Sequence, residues 1–200
     1  MDRKIYLVRH GKIDCGKEKR YIGITDLPLS QDGIEQAKDL KAFFSNITIE
    51  KAFISPLRRC VETAEIILEQ VAVDQIQIEA FKEINMGTWE NQPIASIKDK
   101  HPKLYEARGQ NMSAFIPPGG ESFIQLQNRV MANVNDILCS TSGNILLVAH
   151  AGVNRVIISH FLDISLNDLF QIKQPYGCIS ELYQRGINKQ WQYRLIGNKE

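Results

Sequence analysis

Hydrophobic positions in this chain switch repeatedly between two patterns: continuous apolar runs of four or five residues, and apolar positions recurring every three or four. Short continuous runs predict buried strands, whereas the longer period predicts helices with one face on a core, so their alternation predicts an α/β fold. The first run, Lys4 to Val8, predicts a strand. A turn-rich loop through Gly16 and Gly23 follows. Ser30 then offers an N-cap to a helix with Ile34, Ala37, Leu40 and Phe44 on its apolar face. Ala52 to Ile54 predict a second strand, after which Ser55 caps and Pro56 opens a helix lined by Leu57, Val61, Ala64 and Leu68. A third extended run is expected over Ile76 to Phe81, and an irregular loop from Glu83 to Glu90.

Residues 93–112 are polar and interrupted by His101-Pro102, which predicts one or two short helices. Pro117-Pro118-Gly119-Gly120 breaks the chain. Ser122 then precedes a long amphipathic helix with Phe123, Leu126, Val130, Val134 and Ile137 on one face. The strongest strand signal, Ile145-Leu146-Leu147-Val148, ends at Ala149-His150-Ala151-Gly152 and leads into a helix through Val156, Ile157 and Phe161. Extended segments at Ile179 to Gln184 and Gln190 to Ile196 follow. With no repeat and no linker, residues 1–200 read as one domain, a three-layer αβα sandwich with a mostly parallel central sheet. Residues 91–121 are expected to form a cap over its site.

Composition removes several classes of function. A chain of 200 residues, 44% hydrophobic and 24% charged, can bury a core without disulfide or metal staples. The net charge is +1 and the basic residues are dispersed, which argues against nucleic acid and against a membrane surface. Met1-Asp2-Arg3-Lys4 leads into an apolar run too short for a secretory signal, and no run is long enough to span a bilayer, so a cytoplasmic location is expected. Cys15, Cys60, Cys139 and Cys178 form no Cys-x-x-Cys pair and read as isolated buried thiols.

The chemistry gathers at strand ends. His10, before Gly11, and His150, before Ala151-Gly152, each terminate an apolar run. Ligands of open α/β sheets bind beyond the carboxyl ends of the strands, so the two histidines are predicted to share a cleft. A third strand end, Ser55-Pro56, feeds a helix N-terminus that favours an anion, with Arg58 and Arg59 in its first turn. Arg9 adds another guanidinium, a group suited to bidentate binding of phosphate oxygens. A neutral imidazole, available above its ordinary pKa of about 6.5, can attack phosphorus and carry the group covalently. No His-x-x-x-His pair or carboxylate cluster accompanies these residues, so neither a metal nor another cofactor is expected. His101, His160, Trp89 and Trp191 read as structural.

Taken in order, these residues resemble the histidine phosphatase superfamily, which includes cofactor-dependent phosphoglycerate mutase. The matching motifs are Leu7-Val8-Arg9-His10-Gly11, Asp26-Leu27-Pro28-Leu29-Ser30 with Gly33 and Gln36-Ala37, and Ser55-Pro56-Leu57-Arg58-Arg59 with Thr63-Ala64. Glu83 with Gly87 and Trp89-Glu90, Gly120-Glu121-Ser122, and Val148-Ala149-His150-Ala151-Gly152 complete the set. The resemblance implies that His10 is the phosphorylated nucleophile and that Arg9, Arg59 and His150 form the phosphate pocket. It makes Glu83 the proton donor to the leaving oxygen and then the base for water, with Glu79 and Glu90 as rivals, and makes Gly23 a substrate contact. Its serine-x-leucine-x-arginine spacing selects Arg59 over Arg58, which is left to pair with Glu62 one turn on.

The chain departs from the mutase pattern. Lys12, Ile13 and Cys15-Gly16 stand where mutases carry glutamate, serine and tryptophan-asparagine, Ile22 replaces a threonine, and no arginine- and tyrosine-rich segment follows Glu83. Water is therefore the expected acceptor, and the expected activity is metal-independent phosphomonoester hydrolysis through phosphohistidine. Within the superfamily the chain is similar to the short bacterial α-ribazole phosphatases, which implies α-ribazole 5′-phosphate as substrate in assembly of the cobalamin lower ligand. The alternatives are a bisphosphoglycerate-dependent phosphoglycerate mutase and a noncatalytic phosphoryl-binding regulator. The expected partner is a small phosphorylated metabolite; the oligomeric state stays open, a homodimer included.

Overall fold

The computed structural model describes residues 3–16, 18–185 and 190–196, which leaves Met1 and Asp2 of the opening segment outside. Its strands are β1 (Lys4–Arg9), β2 (Lys51–Ile54), β3 (Asp74–Gln77), β4 (Ile145–Ala149), β5 (Ile179–Arg185) and β6 (Gln190–Ile196). They form one sheet in the order β3-β2-β4-β1-β5-β6. The β3-β2-β4-β1 part is parallel, and β5 and β6 join it antiparallel. Central β1 and β4 are apolar without alternation because helices cover both faces of the sheet.

Side chains of successive strand residues point to opposite faces, so each run supplies two cores. Ile5, Leu7, Ile145 and Leu147 join one cluster with Leu126, Val130 and Val134 of α5 (Phe123–Ser140) and Val153, Val156 and Ile157 of α6 (Ala151–Phe161). Tyr6, Val8, Leu146 and Val148 join the other with Leu40 and Phe44 of α1 (Gln31–Phe44) and Cys60, Ala64 and Ile67 of α2 (Arg58–Leu68). The result is the expected three-layer α/β arrangement. Ser30 caps α1 through the Gly33 amide, and Ser122 and Gln125 form a reciprocal capping box on α5. The expected short helices are α3 (Ile94–Lys100) and α4 (Pro102–Gln110).

Several boundaries differ from expectation. Helix α2 begins at Arg58 rather than Pro56, and the Ser55 hydroxyl meets Nε2 of His150 at 2.8 Å while accepting from the Leu57 amide at 3.4 Å. Asp26 accepts from the Arg58 amide at 2.7 Å; of the expected stripe Leu57, Ala64 and Leu68 are buried and Val61 is half-buried, with Cys60 and Ile67 completing the buried face. The third extended run stops at Gln77, and Glu79–Phe81 close into a 3₁₀ turn that buries Phe81. Among the cysteines, Cys60 and Cys178 are buried, but Cys15 is half-buried and Cys139 exposed, since Cys139 falls on the solvent side of α5. Trp89 packs between Tyr21 and Phe115. His101 and His160 are exposed. Among the described residues, no helix is long and apolar enough to cross a membrane.

Candidate active site

The β1–β4 register pairs Arg9 with Ala149, and the His10 amide donates to the Ala149 carbonyl at 3.0 Å. His10 and His150 therefore leave adjacent parallel strands at the same level, with ring centroids 5.1 Å apart. Nδ1 of His10 lies 2.7 Å from the Gly11 carbonyl. A carbonyl only accepts, so Nδ1 carries the proton and Nε2 presents its lone pair.

Arg59 faces that lone pair. Its Nε–H lies 3.2 Å from Nε2 of His10 and 3.2 Å from Nδ1 of His150. A guanidinium only donates, so Nδ1 of His150 is an acceptor, and its Nε2–H is donated to Ser55 Oγ at 2.8 Å. Burial, reinforced by Arg59 and Arg9, holds both imidazoles well below the ordinary histidine pKa, and His10 adds to the effect on His150. Both rings are neutral at neutral pH.

Only 1% of Arg59 is exposed, and its Nη1 and Nη2 donate to the carbonyls of Thr25 and Gly23, each at 2.7 Å. Among the described residues no carboxylate lies within ion-pair distance of it. Its hydrogen bonds are satisfied while its charge is not, which suits a pocket awaiting an anion.

Arg9, the last residue of β1, donates to the Gln174 carbonyl, and its guanidinium carbon lies 3.6 Å from the Tyr176 ring centroid. Burial lowers its pKa, and its buried Nε has no partner among the described residues. Gln174 is locked in turn, accepting from Asn154 Nδ2 at 3.0 Å and donating to Ser180 Oγ at 2.7 Å. The sequence reading missed Gln174, Tyr176, Asn154 and Ser180. The available signal was a polar residue on an apolar stripe: Asn154 stands among Val153, Val156 and Ile157.

Glu83 is buried, and its carboxylate accepts from the amides of Ile84 and Gly152, both at 2.9 Å. Gly152 belongs to the first turn of α6, where the helix dipole favours a carboxylate. A Cβ at Gly152 would collide with that carboxylate, so close approach requires glycine. The turn His150-Ala151-Gly152 thus supplies both an imidazole and the amide that anchors Glu83.

The structure also places the rivals. Arg58 is exposed and pairs with Glu62 at 2.6 Å. Glu79 is exposed and pairs with Lys82. Glu90 accepts from backbone amides behind the pocket. Gly23 is buried behind the pocket as well, between the Ile84 carbonyl and Glu90, and does not line the cavity. Lys12 turns outward to Asp32, and Ile13 is buried.

A cavity of about 710 Å³ opens beside the site; Arg9 and Glu83 line it, whereas His10, Arg59 and His150 are buried behind its wall. Arg9, Glu83, Gly152 and Tyr176 contribute to its lining, as do Tyr21, Met86, Phe123, Arg155 and Phe170. The segment 91–121 contributes Ile94, Tyr105, Arg108 and Met112. Among the described residues, no three histidine, cysteine, aspartate or glutamate side chains gather as a metal site.

Comparison with known proteins adds a family. The profile of the histidine phosphatase superfamily (branch 1) matches residues 5–199. The chain is 27% identical over 180 residues to the adenosylcobalamin/alpha-ribazole phosphatase of Salmonella typhimurium (strain LT2), covering 90% of this chain and 89% of that protein. It is 30% identical to human 6-phosphofructo-2-kinase/fructose-2,6-bisphosphatase 4 over 90% of this chain but only 37% of that longer protein. The solved structure of Bacillus stearothermophilus YhfR superposes with a TM-score of 0.87 at 26% identity, covering 99% and 98% of the two chains.

Proposed function

From the premise that this chain belongs to the histidine phosphatase superfamily (branch 1) and is a phosphatase, we propose that it hydrolyses phosphomonoesters through His10. The observation that carries this reading is the neutral His10 ring, its Nδ1–H held by Gly11 and its Nε2 lone pair directed at the uncompensated charge of Arg59.

In the first step Nε2 of His10 attacks phosphorus, the bond to the alcohol oxygen breaks, and a proton reaches that oxygen through Glu83. Arg9 and Arg59 neutralise charge on the equatorial oxygens, and His150 completes the pocket. In the second step Glu83 takes a proton from water, the oxygen attacks phosphohistidine, and neutral His10 and inorganic phosphate are released. Atoms and protons balance without a metal or other cofactor. Water is the acceptor in this reading: Lys12 is paired with Asp32 and Ile13 is buried, so neither supplies the contact by which a mutase would retain the phosphoryl group.

The alcohol half of the substrate occupies the larger cavity. Its aromatic and apolar lining, Tyr21, Met86, Tyr105, Met112, Phe123 and Phe170, supports an alcohol bearing a flat apolar group. With the similarity to an alpha-ribazole phosphatase, this favours α-ribazole 5′-phosphate. Residues 91–121 serve as the cap of a one-domain enzyme, and a small phosphorylated metabolite in the cytoplasm fits the reading. A sugar bisphosphate is the second reading. Arg108 and Arg155 reach the same cavity without ion-pair partners among the described residues, and the human relative is named for a fructose-2,6-bisphosphatase activity.

Phosphate release measured across α-ribazole 5′-phosphate, fructose 2,6-bisphosphate and 3-phosphoglycerate tests the assignment. The highest kcat/KM is expected for the first. Interconversion of 3- and 2-phosphoglycerate faster than hydrolysis would overturn it.

A further inference from the structure

The cation at the centre of the pocket is held by a carboxylate that never touches it. Glu90 receives five donors: the amides of Gly23 at 3.1 Å, Ile24 at 2.9 Å, Thr25 at 3.2 Å and Met86 at 2.9 Å, and the Thr25 hydroxyl at 2.5 Å. Oε2 takes three of these donors and Oε1 two, an arrangement that a glutamine, with an N–H group in place of one oxygen, does not reproduce. Residues 23–25 are thereby pinned with their amides toward Glu90. The carbonyls of Gly23 and Thr25, at the two ends of that pinned segment, are the ones that hold Nη2 and Nη1 of Arg59.

The arrangement solves an electrostatic problem. A carboxylate bonded directly to Arg59 would orient the guanidinium but cancel the charge that an incoming phosphoryl group needs. Working through two peptide groups, Glu90 fixes the orientation and leaves the charge free. Gly23 has no room for a side chain, since a Cβ there would meet both the Ile84 carbonyl and the Glu90 carboxylate. Its backbone is thus wedged between the segment that carries Glu83 and the residue that anchors the loop.

We propose that Glu90 is a positioning residue for phosphoryl transfer, acting on His10 and His150 only through the 23–25 loop and Arg59. The inference rests on the reading of Arg59 as a phosphate ligand. At metal sites, removing an outer group that orients a ligating side chain typically costs about 10- to 100-fold, and a loss of the same order is expected here.

The test is a double-mutant cycle on p-nitrophenyl phosphate hydrolysis and vanadate inhibition, using Glu90→Gln, Arg59→Lys and the double variant. Glu90→Gln is expected to lower kcat/KM about 10- to 100-fold and to weaken vanadate in parallel, yet to cost less than about twofold on the Arg59→Lys background. Equal costs on both backgrounds overturn the proposal, as does an unimpaired Glu90→Gln beside an impaired Arg59→Lys. Full activity in Arg59→Lys overturns the phosphate-pocket reading and this proposal with it. Should Glu90→Gln fail to fold, Thr25→Val decides the matter, because it deletes one donor of the five. Its loss is expected to be rescued by Thr25→Ser and to vanish on the Arg59→Lys background; a loss independent of Arg59 overturns the proposal.

Discussion

Nε of Arg59 sits 3.2 Å from Nε2 of His10, so the best buried cation of the site stands against the nitrogen that must stay unprotonated. On the proposed mechanism, attraction for phosphate and protection of the nucleophile from protons are two effects of one charge.

The first prediction concerns pH. Burial, Arg59 and Arg9 place the His10 pKa well below its ordinary value, so the acid limb of kcat/KM, corrected for ionisation of the substrate, is expected well under about 6.5. An acid limb at or above that value would contradict the geometry. Stability follows the same sign. The unfolded chain binds protons at His10 and His150 before the folded one does, so their contribution is complete above about 6.5 and is lost as pH falls below it. Urea midpoints between pH 8 and 5 should fall, and fall less in His150→Asn.

A second prediction isolates the nucleophile. His10→Ala should abolish hydrolysis of p-nitrophenyl phosphate, and wild-type activity should be unaffected by chelator. Rapid quench into alkaline denaturant after mixing with labelled substrate should trap a phosphoprotein that is stable to alkali and loses its label in acid. Label retained in His10→Ala would place the intermediate elsewhere.

For Glu83, the informative variable is the leaving group. Glu83→Gln should slow esters of poorly acidic alcohols by about 10²- to 10⁴-fold and p-nitrophenyl phosphate far less, because only the former need a proton in the transition state. Equal losses across a series of aryl and alkyl phosphates would argue against proton donation.

Gly152→Ala should reproduce that signature without touching Glu83. The added methyl occupies the space of the Glu83 carboxylate and breaks its bond to the α6 amide. The expected outcome is a leaving-group dependence like that of Glu83→Gln, with about 10-fold or greater loss for poor leaving groups. A thermal midpoint measured alongside separates displacement of Glu83 from loss of the fold.

Much of this protein is legible in its residue pattern. The two continuous apolar runs of β1 and β4 mark central strands because only a sheet covered on both faces tolerates them, and His10 and His150 at their ends announce the cleft. Arg59 could be told from Arg58 by motif spacing, and the buried and exposed environments of the two agree with it. Gly23 shows where pattern falls short: its requirement for glycine comes from the Ile84 carbonyl and Glu90, more than sixty residues away in the chain.

What the sequence determined by itself, then, is everything set by local period and by residues adjacent in the chain: the alternation of strands and helices, the caps at Ser30 and Ser122, and the histidines on strand ends. Only the tertiary structure decided which acceptor holds each donor. The Glu90 knot, the Gln174 and Tyr176 clamp on Arg9, and the Gly152 amide beneath Glu83 all join segments far apart in sequence. Hydrogen bonds of that kind depend on distance and direction to within a few tenths of an ångström, a quantity no one-dimensional pattern carries.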